Sequence, residues 1–101
     1  MIKVLIKSEG EKLQSLEVKG HANSAPHGED LICAAVSAVV TGGANAIKNL
    51  NDIEIKLDEG YALFKVNNSL SSHDEIVMET IITGLKTIAE GNDKFIQIKN
   101  L

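Results

Sequence analysis

The chain of 101 residues is long enough for one hydrophobic core, so we expect a single domain over residues 1–101. Its formal net charge is −4, all ten basic residues are lysine, and only three residues are aromatic. This composition lacks the arginines that bind phosphate in a bidentate manner and the aromatic rings on which bases stack. We therefore expect no direct contact with nucleic acid.

The single cysteine, Cys33, cannot form an internal disulfide and is typical of a protein of the reducing cytoplasm. Met1 is followed directly by an alternating segment and not by an apolar run, so we expect no secretory signal. The most apolar stretch contains glycines and other small residues, which favours a buried helix over a membrane span. These features predict a cytoplasmic protein with no membrane contact.

The first third of the chain predicts a β-hairpin and a loop. Residues 2–7 and 13–19 alternate apolar and polar side chains, as half-buried strands do, and a turn around Gly10 separates them. The loop that follows contains the only proline among other turn formers, and its apolar side chains are small. Little would anchor it, so we expect a flexible segment; it comprises Ala22, Asn23, Ser24, Ala25, Pro26, His27 and Gly28.

A helix is predicted from about Asp30 to Leu50, because Asp30 is a favourable N-cap. We expect its packing face to consist of small and apolar side chains, which would let the helix lie close to a sheet. That expected face is Leu31, Ala35, Ala38, Gly42 and Ala46.

The second half of the chain predicts another hairpin, a second helix and a final strand. Residues 53–57 and 61–66 are the strands of the hairpin, a capping box at residues 72–75 opens the helix, and residues 94–99 form the final strand. The order is ββαββαβ. It predicts an α+β two-layer sandwich, with a mostly antiparallel sheet and both helices on one face.

Two residues suit proton transfer and nucleophilic attack. His21 follows a predicted strand, and histidine is the side chain best suited to proton transfer near neutral pH. Cys33 lies in the first turn of the predicted helix, where unpaired N–H groups and the helix dipole favour a thiolate. By position alone, an exposed surface histidine and a buried core cysteine remain alternatives.

Asp30 and Ser37 share a helix face with Cys33, because the three residues are spaced at i, i+3 and i+7. Asp30 is expected to be the N-cap, and orientation of His21 is an alternative role for it. Ser37 is expected to be a packing hydroxyl or a substrate contact.

The remaining histidines are weaker candidates. His27 is an alternative base if the loop folds over Cys33, and His73, inside the predicted capping box, is expected in solvent. One cysteine and three scattered histidines show no ligand spacing, so we expect no metal site and no cofactor.

The segment Gly20-His21-Ala22, followed after the loop by Gly28-x-Asp30-x-x-Cys33-Ala34-Ala35-x-Ser37, resembles the signature of the bacterial ribosomal-processing cysteine proteases, the Prp family. The predicted order of strands and helices is similar over nearly the whole chain. The resemblance implies that Cys33 and His21 form the catalytic pair. It also implies a homodimer and a loop that becomes ordered over bound substrate.

Members of that family remove a short N-terminal extension from the large-subunit ribosomal protein L twenty-seven, and they cut after a phenylalanine pair. The expected mechanism is deprotonation of Cys33 by His21, thiolate attack on the peptide carbonyl, and hydrolysis of the acyl-enzyme. Backbone N–H groups at the helix start are the expected donors to the oxyanion.

Two alternatives belong to other classes of protein. One is a non-catalytic, ribosome-associated binding module whose acidic surface holds a basic protein. The other is a redox sensor in which Cys33 is oxidised. A protease requires a base within reach of the thiol, a sensor requires only a reactive thiol, and a binding module requires neither.

Overall fold

The computed structural model describes residues 1–22 and 30–101. Within this part of the chain, apolar alternation and helical periodicity produce the predicted order ββαββαβ, including the final strand. The elements are β1 (Ile2–Glu9), β2 (Lys12–Lys19), α1 (Leu31–Ala46), β3 (Ile53–Asp58), β4 (Tyr61–Val66), α2 (Ser72–Ala89) and β5 (Ile96–Asn100).

The strands pair in the order β3-β4-β2-β1-β5. Neighbours are antiparallel except β1 and β5, which run parallel, so the mostly antiparallel sheet is mixed at one edge. The register stacks Val4 beside Val18 and Ile98, and Leu16 beside Phe64, on the face that both helices cover. This face is the core, and burying each large side chain there contributes roughly 1.5–3 kcal/mol relative to exposure. The predicted two-layer α+β fold is confirmed.

Helix α1 presents a different face to the core from the one expected. Val36, Val40 and Ala44, spaced four residues apart, are its buried residues, whereas Leu31 is 81% exposed. Ala38, Gly42 and Ala46 of the expected face are also exposed, and α1 ends at Ala46, four residues before Leu50. The larger valines remove more apolar surface from water than the small residues do, so they determine how the helix is rotated.

The two helices approach each other closely at two glycines. A Cβ atom added to Gly43 would overlap the side chain of Ile81 on α2, and one added to Gly84 would lie 2.9 Å from Cγ1 of Val39 on α1. The close approach that small residues permit is therefore between α1 and α2, and not between α1 and the sheet.

Residues at the N-terminus of α2 bind the backbone of the segment that follows α1. Asp74 is fully buried, and its two carboxylate oxygens accept hydrogen bonds from the backbone N–H groups of Lys48 and Asn49, each at 3.0 Å. His73 is exposed, as expected, and its Nε2 also lies 3.0 Å from the carbonyl oxygen of Ala46 at the end of α1. These contacts join the exit of one helix to the start of the other.

Helix α2 begins one residue earlier than predicted. Its N-cap is Ser71, whose hydroxyl accepts a hydrogen bond from the N–H of Asp74 at 3.2 Å. The capping box predicted at Ser72 is therefore wrong. Either of two consecutive serines satisfies the local N-cap preference, and burial of Asp74 selects Ser71.

The pKa of Asp74 lies below its ordinary value. Burial is the largest influence and acts to raise it. The amide hydrogen bonds from Lys48 and Asn49, the charge of His73 and the Ser71 side chain together outweigh burial. A carboxylate with a lowered folded-state pKa stabilises the fold above its unfolded pKa of about 3.9, and the contribution is lost as the pH falls through the folded-state value.

Replacing Asp74 with asparagine removes this titration and one of the two amide acceptors. At pH 7 we expect Asp74→Asn to lower the free energy of unfolding by about 1–3 kcal/mol, because a backbone N–H loses its partner. Below about pH 4 the difference from the wild type should shrink, because the wild-type carboxyl becomes protonated as well. Denaturant unfolding at several pH values measures this, with Asp93→Asn, at an exposed position, as the control. A difference that is constant from pH 7 to pH 2.5 would contradict it.

Among the described residues, no helix has both the length and the apolar character needed to cross a membrane.

Candidate active site

One groove contains the proposed catalytic pair and the two residues that share a helix face with Cys33. It lies between α1 and the turn that joins β3 to β4, has a volume of about 640 Å³, and is lined by His21, Asp30, Cys33 and Ser37 among others. His21 follows the end of β2 by two residues, and Cys33 lies in the first turn of α1. The fold therefore brings an imidazole and a thiol to the same groove.

Cys33 is the third residue of α1 and is partly buried. Its sulfur accepts a hydrogen bond from the backbone N–H of Ala22 at 3.2 Å. The sulfur thus lies at the start of α1 and beside an amide donor. Cys33 also packs against the core. Cys33 therefore combines the core packing expected as an alternative with a place in the first turn of the helix.

Asp30 is the N-cap of α1, as expected. Its Oδ1 accepts hydrogen bonds from the N–H groups of Ile32 at 3.1 Å and Cys33 at 3.0 Å. The N–H of Ala34 donates to the carbonyl oxygen of Asp30 at 3.1 Å. Three amides of the first turn are therefore engaged within the helix start. The expectation that the helix start offers open amides to an oxyanion is not met at these positions, because the cap itself uses them.

His21 extends from the end of β2 and is exposed. Its ring lies over the β3–β4 turn, close enough that a Cβ atom on Gly60 would be 2.8 Å from Nε2. Within residues 1–22 and 30–101, no hydrogen bond joins His21 to Cys33. The two side chains share the groove, while the hydrogen-bond partner of the thiol is the amide of the residue that follows His21.

Ser37 lies one turn beyond Cys33 on α1 and is exposed at the groove. The spacing i, i+3 and i+7 therefore does place Asp30, Cys33 and Ser37 along one wall. This position leaves the hydroxyl of Ser37 accessible to a bound molecule, and it is not a packing position in the core.

The opposite wall contains residues that the sequence analysis did not single out. Asp58, Glu59, Gly60 and Tyr61 belong to the β3–β4 turn or flank it, and all of them line the groove. They lie near His21 because β4 pairs with β2, with Tyr61 opposite Lys19. No local pattern signals this proximity, since it follows from strand order alone.

Tyr61 is held in place by a hydrogen bond from its hydroxyl to Oε2 of Glu17 at 2.7 Å. This hydrogen bond, followed by partial burial and the negative charge of Glu17, raises the pKa of the Tyr61 phenol above its ordinary value. The bond links β4 to β2 near the groove, so it stabilises the position of the turn relative to the end of β2.

The loop predicted to be flexible lies mostly outside the described residues, which omit positions 23–29. Its first residue, Ala22, is described and is only 4% exposed. Ala22 is therefore a core residue that also donates a hydrogen bond to Cys33, and the flexibility expected of the loop stays a prediction. Among the described residues, no group of three histidine, cysteine or acidic side chains is arranged to hold a metal ion.

The groove brings together a helix-start thiol and an imidazole, the two groups that a cysteine protease requires. A model of the family described as cysteine protease Prp matches residues 1–97 of the chain. The chain belongs to this family.

Individual relatives agree with that assignment. The chain is 39% identical to the ribosomal processing cysteine protease Prp of Bacillus subtilis, with 87% of each protein aligned. It is 29% identical to the Staphylococcus aureus protein of the same name, over 96% of this chain and 94% of that one. It also superimposes on a crystal structure of S. aureus Prp in complex with a covalently linked product peptide. The TM-score is 0.89 at 26% identity, with both chains fully covered.

Proposed function

We propose that this chain is a cysteine endopeptidase, formed by a single domain over residues 1–101, that removes the N-terminal extension of the bacterial large-subunit ribosomal protein L twenty-seven. Membership of the Prp family over residues 1–97 carries this proposal. The covalently linked product peptide in the S. aureus relative supports a peptide substrate and a covalent step. The comparisons give no support to a binding module or a redox sensor.

In the proposed mechanism, His21 takes the proton of the Cys33 thiol, and the thiolate attacks the carbonyl carbon of the scissile peptide bond. A tetrahedral intermediate forms, and His21 then gives its proton to the leaving amine as the peptide bond breaks. Water, deprotonated by His21, hydrolyses the thioester and releases the extension. Both side chains line the same groove, which supports this pairing of roles.

Ala22 is a candidate donor to the oxyanion. Its N–H lies 3.2 Å from the sulfur, whereas Oδ1 of Asp30 already occupies the amides of Ile32 and Cys33. Once the sulfur is bonded to the carbonyl carbon of the substrate, it is a weaker hydrogen-bond acceptor than the thiolate. The N–H of Ala22 would then be available to the negative oxygen that develops beside it.

The groove suits an apolar side chain of the substrate. Leu57 of β3 lines it and is 46% exposed, so its side chain offers apolar surface to a bound molecule. A phenylalanine from the substrate would cover this exposed surface, and the gain from apolar burial is the expected basis of selectivity. The groove volume of about 640 Å³ lies within the range of about 300–1,000 Å³ typical of binding sites.

The proposal extends to a cytoplasmic homodimer. The family resemblance supports the dimer, and the single cysteine suits a reducing compartment. Light scattering coupled to size-exclusion chromatography would measure the mass in solution, and the mass of one chain at all concentrations would refute the dimer.

The function is tested by incubating the protein with a synthetic peptide that carries the ribosomal-protein extension and reading the products by mass spectrometry. We expect one cut, directly after the phenylalanine pair. A second peptide, with both phenylalanines replaced by alanine, should be cut far more slowly. An intact first peptide after long incubation with folded protein would refute the proposed substrate.

Two substitutions of Asp30 separate its role as the helix cap from a role in orienting His21. Asparagine caps helices about as well as aspartate, whereas alanine does not. We expect Asp30→Ala to lower the free energy of unfolding by about 1 kcal/mol. Asp30→Asn should keep both the stability and, within about threefold, kcat/KM, because the cap and not the charge is the main contribution. Unfolding curves and peptide kinetics measure both. A stable Asp30→Asn protein that loses activity tenfold or more would show that the carboxylate charge orients His21.

A further inference from the structure

The imidazole of His21 rests on a position of the β3–β4 turn that has no side chain. A Cβ atom on Gly60 would lie 2.8 Å from Nε2 of His21, closer than real Cβ atoms approach other atoms, and 3.1 Å from Cε1, a tight contact. The turn is tight, since Asp58 pairs with Tyr61 and only two residues lie between them. Gly60 therefore provides the space that the edge of the ring occupies.

The turn and the histidine are attached to the same part of the sheet. The N–H of Gly20 donates to the carbonyl oxygen of Gly60 at 3.0 Å, so the residue before His21 is bonded to the turn. Lys19 pairs with Tyr61, and the Tyr61 hydroxyl is bonded to Glu17 at 2.7 Å. These contacts hold Gly60 at a constant position relative to the backbone from which the imidazole extends.

We infer that Gly60 is a positioning residue for His21: its missing side chain determines where the imidazole lies at the edge of the catalytic groove. This inference rests on the proposed role of His21 as the general base. The backbone around Gly60 is restrained by strand pairing, whereas the ring is the end of a rotatable side chain. A methyl group at position 60 would therefore displace the ring and leave the strands in place.

A simpler reason for glycine at this position is the turn itself. Gly60 has a φ of +70°, a region that side chains other than glycine rarely adopt. Gly10, in the β1–β2 turn, separates the two explanations. Its φ is +61°, yet a Cβ atom there would meet nothing within 4 Å. Alanine at position 10 thus introduces comparable backbone strain without touching the histidine.

The first test compares Gly60→Ala with Gly10→Ala in the chain of residues 1–101. We expect Gly60→Ala to reduce kcat for the extension peptide on the order of tenfold to a hundredfold, the effect of misplacing a catalytic group by about 1 Å. The pH–rate profile should also change, because the base has moved, while KM stays within about threefold. Gly10→Ala should retain wild-type kcat, KM and pH profile. Equal kinetics in the two variants would overturn the inference.

One further measurement does not depend on activity, so it distinguishes failure of this inference from failure of the proposed protease function. The NMR resonances of the His21 ring should shift in Gly60→Ala and not in Gly10→Ala. Melting temperatures are the control: the two variants should lose comparable amounts, because both place alanine at a positive φ and the exposed ring can rotate aside. Unmoved ring resonances in Gly60→Ala would overturn the inference even if that variant were poorly active.

Discussion

Cys33→Ala abolishes cleavage of the extension peptide while the protein stays folded; this is the largest effect that we expect. Cys33 is the single thiol of the chain, and it lines the groove that also contains His21. Removal of a nucleophile from a catalytic pair lowers kcat by roughly a thousandfold or more. Mass spectrometry of the peptide, over times that convert the substrate fully with the wild-type protein, measures the loss.

Cys33→Ser is the matched control for shape. A serine hydroxyl occupies nearly the same volume and can still accept a hydrogen bond from Ala22, but it is a much weaker nucleophile at neutral pH. Both variants should show melting temperatures close to that of the wild type. Cleavage by Cys33→Ala at more than about a tenth of the wild-type rate would exclude Cys33 as the nucleophile. In that event the exposed hydroxyl of Ser37, in the same groove, becomes the alternative.

His21→Ala lowers kcat on the order of a hundredfold to ten-thousandfold, the range that general acid–base catalysis contributes. Alkylation of Cys33 by iodoacetamide should still occur in this variant, because the thiol remains in the groove, although more slowly near neutral pH. The activity that remains should rise with pH over a wider range than in the wild type, since hydroxide must then supply the deprotonation. Peptide kinetics from pH 5 to pH 9 and the alkylation rate measure these effects.

His73→Ala is the matched histidine control. His73 bonds to the carbonyl oxygen of Ala46 at the far end of α1 and is not part of the groove. Its removal should leave kcat unchanged and lower the melting temperature by a few degrees. If His21→Ala were instead as active as the wild type, His27→Ala would be the next variant to test. Position 27 was the alternative base in the sequence, and it lies outside the described residues.

The same variants separate the protease from the alternatives. A redox sensor would require Cys33 and tolerate His21→Ala, and a binding module would tolerate both changes. Loss of peptide cleavage in both variants, with retained binding of the peptide in Cys33→Ala, is the pattern expected only of a protease. Binding can be measured by fluorescence anisotropy with a labelled extension peptide.

Much of the local structure follows directly from the amino-acid sequence. The alternation of residues 2–7 and 13–19 predicts the first hairpin, and Asp30 is recognisable as an N-cap that places Cys33 in the first turn of α1. The alternation of a strand repeats every two residues and the cap joins residues two and three positions apart, so both patterns are visible in short stretches of sequence. The Gly-His and Asp-x-x-Cys segments also carry the resemblance to the family that the comparisons confirm.

Two errors show where local patterns are insufficient. The small residues of α1 resembled a packing face, but Val36 and Val40 point into the core because the sheet and α2 present more apolar surface on that side. The start of α2 was placed one residue late, because selection of Ser71 over Ser72 depends on Asp74 reaching the amides of Lys48 and Asn49. Those partners are 25 and 26 residues away in sequence, so no short pattern contains them.

The tertiary structure alone decided how the groove is completed. The sequence by itself determined the strands, the helices and the two chemical groups, because these depend on local periodicity and residue chemistry. It did not show that the amides of Ile32 and Cys33 are occupied by Asp30, or that Ala22 donates to the sulfur. Nor did it show that Gly60 underlies His21. That contact exists because β4 pairs with β2, and strand order is set by the packing of the whole sheet rather than by neighbours along the chain.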